Sequence, residues 1–99
     1  MRVTITARHC DVSDELRERA RAQVERLARL ARRPDGARVL FAEDAAKPMV
    51  ELQLHTALHL HVARAPGTDH RTALDLALSR LRRQLVRDAD PRSRRRVPK

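Results

Sequence analysis

Six arginines carry the clearest chemical signal in this chain: Arg26, Arg29 and Arg33 in the first half, and Arg80, Arg83 and Arg87 in the second. Both sets step by three and then four residues, the spacing that aligns side chains along one stripe of a helix. Like charges at that spacing repel, so folding alone gives no reason to align them. A polyanion lying along the stripe does, because each guanidinium presents a fork of donors that matches a phosphate. Arg19 extends the first row, and Arg82, Arg94, Arg95 and Arg96 are candidates for additional phosphate contacts.

The charge distribution agrees. The chain carries a net +9, but residues 80–99 hold nine basic side chains against only Asp88 and Asp90. The first 79 residues hold 13 basic and 11 acidic side chains, so the basicity is gathered at one end rather than spread for solubility. Twenty of the 22 cations are arginines, a choice that suits phosphate but that a GC-rich genome would also produce. Phe41 is the only aromatic residue, which disfavours recognition by stacking of unpaired bases.

Other constellations carry less. His55, His59 and His61 are expected on the polar face of two adjacent strands, where three imidazoles could converge on Zn²⁺. No fourth ligand is convincingly placed, although Glu51 is nearby, and a solvent-facing sheet surface is the preferred reading. His9 and Cys10 are neighbours at the end of a strand and so point to opposite faces, a poor arrangement for a nucleophile and its base. Two glycines leave little room for a phosphate loop, and paired acid–base carboxylates and a hydrolase elbow are lacking. The expectation is a non-enzymatic protein without a cofactor. A single cysteine points to a reducing, cytoplasmic setting, and no stretch reads as a signal peptide or membrane helix.

The elements that must position the arginines follow from periodicity. Arg2 to Thr6 alternates as a half-buried strand. Ser13 caps a helix whose stripe is Leu16, Ala20, Val24, Leu27, Leu30 and Ala31, running up to Pro34. Ala37 to Ala42 is a second strand, followed by a loop from Glu43 to Pro48. Val50, Leu52 and Leu54 mark the inward face of a third strand. Leu58, Leu60 and Val62 mark that of a fourth, hairpinned to it around Thr56-Ala57. After Pro66-Gly67, Thr68 or Asp69 caps a second helix with buried Leu74, Ala77, Leu78, Leu81 and Leu85, ending by Pro91.

The order β-α-β-β-β-α predicts an α+β fold: a four-stranded mixed sheet with both helices packed on one face, similar to a double-stranded-RNA-binding domain. One domain over 1–90 and a basic, disordered tail over 91–99 are expected. With both helices on one face, the two arginine rows would line or border a single groove. The alternative is two ordinary solvated faces, partly neutralised by Glu18, Glu25 and Asp75. The repeated spacing and the basic tail favour phosphate binding.

The same residues resemble a family. Arg80-Leu81-Arg82-Arg83-Gln84-Leu85-Val86-Arg87 is similar to the second-helix signature of the bacterial ribosome hibernation-promoting factors, also called ribosome-associated inhibitors or sigma-54 modulation proteins. Gly67-Thr68-Asp69-His70-Arg71-Thr72-Ala73-Leu74-Asp75 resembles the stretch that opens that helix. Val3-Thr4-Ile5-Thr6 and Val12-Ser13-Asp14-Glu15-Leu16-Arg17 resemble the family's first strand and helix cap. Two positions depart from the pattern: Arg71 stands where the family has Tyr, and Gln23 where a basic residue is usual.

The resemblance implies a short-form factor that binds small-subunit rRNA between head and body. There it would occlude messenger RNA and A- and P-site transfer RNA, silencing translation under stress. The family's rRNA-contacting positions map onto Arg26, Arg29, Arg80, Arg83 and Arg87, and a monomer is expected when free of the subunit. Two other readings remain at this stage: a generic double-stranded RNA or DNA binder, and a protein-interaction module docking an acidic partner.

Overall fold

A computed structural model describes residues 1–89, so the tail and its Arg94, Arg95 and Arg96 lie outside the described residues. The elements are β1 (Arg2–Ala7), α1 (Asp14–Ala28), β2 (Pro34–Asp44), β3 (Lys47–Thr56), β4 (Leu60–Pro66) and α2 (His70–Ala89). They form the expected β-α-β-β-β-α fold. The four strands stand in the order β1-β2-β3-β4, with β1 parallel to β2 and the other neighbours antiparallel. Both helices cover one face, α1 over β1 and β2 and α2 over β3 and β4.

The core is aliphatic apart from Phe41. Val39, Phe41, Val50, Leu52 and Leu54 project from the two central strands, and Leu74, Leu81, Val24 and Ala20 meet them from the helices. Ser13 is extended (φ −64°, ψ 155°), and its hydroxyl accepts the Leu16 N–H at 3.1 Å, satisfying an amide that the first turn would otherwise leave open. Asp69 does the same for α2, accepting the Thr72 N–H at 2.7 Å. That bond, which favours the charged form, holds the Asp69 carboxyl below its ordinary 3.8. The His70 ring lies 2.8 Å from the Ala42 carbonyl and edge-on to Phe41 at 5.9 Å, pinning the start of α2 to β2.

Three features differ from expectation. First, α1 ends at Ala28 rather than at Pro34. Leu30 and Ala31 donate to carbonyls three residues back, tightening the chain out of the helix, and Arg33 takes φ 51°. The Pro34 ring disfavours the helical region for the residue before it, and the chain must reverse to enter β2 beside β1. Arg33 is therefore not on the α1 stripe.

Second, the loop expected from Glu43 to Pro48 is a two-residue hairpin. The β2–β3 ladder continues to the pair Asp44–Lys47, and Ala45 and Ala46 turn the chain with φ 54° and 66°. Both dihedrals suit the twist of a hairpin, but neither residue is the Gly or Asn that would signal it.

Third, β4 faces the other way. His61, Ala63 and Ala65 are buried, while Leu58, Leu60 and Val62 are 81%, 53% and 40% exposed. Alternation permits either choice, and a one-residue shift exchanges the faces. The rest of the strand decides. Turning Leu60 and Val62 inward would also turn Arg64 inward, where an unpaired guanidinium is very costly. The observed facing buries only His61, whose Nδ1 lies 3.3 Å from an Asp88 carboxylate oxygen of α2. It also places small Ala63 and Ala65 in the core on the face that α2 covers.

Gly67 is the hinge of that approach. A Cβ there would lie 2.5 Å from the Ala73 nitrogen and 2.9 Å from the Asp69 carbonyl oxygen, so no larger residue fits between β4 and α2.

Candidate nucleic-acid interface

Helix direction sets where the arginines go. Each helix returns antiparallel to the strand before it, and β1 and β4 both run with β2, so α1 and α2 are parallel. Arg19 and Asp75, each in the sixth position of its helix, meet at 3.1 Å across the seam. Seven residues further along, Arg26 comes level with Arg82. The cations at the C-terminal ends of the two helices are thus neighbours.

Their directions follow from about 100° of turn per residue, measured from the buried Ala77 and Leu81. Asp75 and Leu78 turn toward α1. Arg80, Gln84 and Arg87 turn the opposite way, toward the free edge of β4, and Arg83 points most directly away from the sheet. The hydrogen bonds agree: Arg80 donates to the Arg64 carbonyl, and the Gln84 amide donates to the Val62 carbonyl at 2.7 Å. On α1, Arg26 and Arg29 lie on the side opposite Val24, also away from the sheet. The rows therefore do not face each other across a groove between the helices. They form an outward-facing basic surface on the helix layer: Arg26, Arg29, Arg82 and Arg83 on its crest, Arg87 and Arg80 on its β4 flank. All are exposed.

Charge balance separates these residues. Arg19, a candidate contact, is committed to Asp75, and Arg21 donates to the Val3 carbonyl at 3.2 Å and lies 3.8 Å from Glu18. Among the described residues, Arg26, Arg29, Arg82, Arg83 and Arg87 form no ion pair. The partial negative charge at the helix C-termini offsets some of their repulsion. Five unpaired guanidinium groups still make a surface that a phosphate backbone would neutralise. Arg80 is held by a carbonyl through one nitrogen, leaving the rest of its fork to solvent. Arg33 is exposed in the α1–β2 turn, off the crest.

The three histidines do not share a face. His55 points outward from β3 and His61 inward from β4, and only the His59 and His61 rings approach, at 5.9 Å between centroids. Among the described residues, no group of three or more His, Cys, Asp or Glu is arranged to hold a metal.

Residues 3–93 match the family described as sigma 54 modulation protein / S30EA ribosomal protein. The chain belongs to this family. A ribosome hibernation promoting factor of Azotobacter vinelandii is 32% identical over 87 residues, covering 88% of this chain and 81% of that protein. Two solved structures share the fold. A ribosomal subunit interface protein from Coxiella burnetii superposes with a TM-score of 0.77 at 21% identity, covering 89% of this chain and 97% of its own. The N-terminal domain of Thermus thermophilus Protein Y gives 0.76 at 23%, covering 89% and 99%. No helix among the described residues is long and apolar enough to cross a membrane.

Sequence reasoning assigned no role to Gln84, although it sits inside the second-helix signature. A polar residue between buried Leu81 and Leu85, one turn after Arg80, is a signal that the flank abuts a strand edge. Arg21 gives the matching signal on α1, where it reaches the other edge strand.

Proposed function

We propose that this chain binds small-subunit rRNA through the crest of its helix layer and, lodged between head and body, occludes messenger RNA and the A- and P-site positions of transfer RNA. Arg26, Arg29, Arg82, Arg83 and Arg87 hold phosphates, with Arg80 at the flank. The observation that carries the reading is the cluster of arginines, without an ion pair among the described residues, at the C-terminal ends of two parallel helices, in a chain of a family whose named relatives include a ribosome hibernation promoting factor.

The surface is rich in arginine and poor in aromatic residues, so it suits the backbone of a rigid, shaped RNA better than unpaired bases. Neutralising about five phosphates gives a log–log salt slope near −4.5, a loss of several hundredfold in affinity between about 50 and 200 mM salt. The folded body, 42 × 27 × 17 Å, then acts as a plug.

Sedimentation with purified small subunits, with duplex RNA as competitor, tests the reading. Retention on subunits in excess duplex supports it, and equal partition between the two polyanions removes it. Occlusion is tested separately: initiator transfer RNA and this protein should each weaken the other's binding. Simultaneous binding without mutual effect would leave the location and discard the mechanism.

A further inference from the structure

The face of the sheet away from the helices carries a second group of cations that the proposed function does not use. In register, Arg2 stands beside Gly36 and Gly36 beside His55. One row on, Thr4 stands beside Arg38. Gly36 has no side chain, so the first row dips at its centre. A shallow depression of about 360 Å³ opens there, walled by Arg2, Thr4, Arg38 and His55.

The charges around it are unbalanced in a specific way. Arg2 and Arg38 sit diagonally on adjacent strands, close enough for their long side chains to reach one group between them. Neither forms an ion pair within the described residues. Asp35, also at the rim, lies beyond ion-pair distance of both. Asp35 is the one carboxylate among the lining residues. Two guanidinium forks, a hydroxyl and an imidazole around a floor without a side chain form a receptor for a compact, multiply charged oxyanion.

We infer that this depression binds a phosphate group, held by Arg2 and Arg38 with Thr4 and His55 as further hydrogen-bonding partners. The phosphate belongs either to a free nucleotide or to an RNA backbone. The site lies on the opposite side of the sheet from the helix crest, so it stands whether or not the crest binds rRNA.

The test is a titration of the ¹⁵N-labelled full chain with inorganic pyrophosphate, followed on backbone amides. The expected result is saturable shifts at Thr4, Ala37, Arg38 and His55, with an apparent Kd raised by about tenfold or more in an Arg2→Ala, Arg38→Ala double variant. Both positions are exposed, and the amide spectrum of the variant reports directly that it is folded. Gly36→Val, which fills the floor, should also weaken binding while keeping both cations. Shifts confined to the helix crest, shifts that do not saturate, or binding indifferent to the double variant would each overturn the site. Displacement of pyrophosphate by ADP but not by duplex RNA assigns the phosphate to a free nucleotide, and displacement by the duplex assigns it to RNA.

Discussion

The two helices begin with the same arginine spacing and end with different surfaces. On α2 the row Arg80, Arg83, Arg87 lies on one unbroken helix of 20 residues. On α1 the helix is 15 residues long, and the third arginine of the row falls in the turn that leads into β2. The same helix spends Arg19 on Asp75 and Arg21 on the Val3 carbonyl, so its N-terminal half is tied to its neighbours. Spacing alone says that charges can align. The length of the element carrying them, and what packs beside it, decide whether they are free to meet a ligand.

If that contrast is right, charge reversal should act unequally. Arg83→Glu with Arg87→Glu should lower small-subunit affinity by about a hundredfold or more, while Arg33→Glu changes it by less than about threefold. Both should leave the circular dichroism spectrum unchanged. Equal losses would mean that the α1–β2 turn is as much a part of the interface as the α2 crest.

A comparably large effect, on stability rather than binding, is expected at the junction that places α2. Gly67→Ala pushes a Cβ into the backbone of Ala73 and should cost about 2 kcal/mol in denaturant unfolding. A cost near zero would show that the β4–α2 junction has slack, and that the facing of the α2 row is less firmly set than its packing implies.

A smaller effect separates anchoring from contact within the α2 row. Arg80→Ala and Gln84→Ala each remove a bond to an edge carbonyl of β4 and should destabilise by about 0.5–1 kcal/mol, with faster hydrogen exchange along β4. Arg83→Ala should do neither. The Arg19–Asp75 pair, exposed on both sides, should show a coupling of about 0.5 kcal/mol or less in a double-mutant cycle, diminishing with salt.

The smallest effect is pH-dependent and belongs to the α2 cap. Ionised Asp69 is favoured by the Thr72 amide, so its carboxyl titrates lower in the folded chain than in the unfolded one. Its contribution is full above the ordinary 3.8 and is lost as pH falls through the lower folded-state value. The Tm gap between the parent and Asp69→Ala should therefore narrow in acid. A gap that stays constant down to that range would mean that the cap acts without its charge.

Much of this was legible in local pattern. Ser13, the apolar stripes of both helices and the alternation in β1 and β3 each have a single sensible reading, because the opposite choice would bury charge or expose most of a stripe. The crest arginines were legible for the same reason, since they fall where the stripes do not. The Ala45-Ala46 turn was not, because two alanines at positive φ carry no turn signature, and the long ladder on either side holds them there. Arg80's anchoring was invisible because its partner is a backbone carbonyl sixteen residues away.

The order of the elements, their amphipathic faces and the alignment of like charges were set by the sequence alone, through side-chain periodicity that any short segment carries within itself. The facing of β4, the early end of α1 and the turning of the α2 row toward β4 were decided only by tertiary structure. Each of these choices compares two locally acceptable conformations. What separates them is the cost of a buried Arg64, a chain reversal into β2, or the docking of α2 on a strand edge, none of which exists until the layers meet.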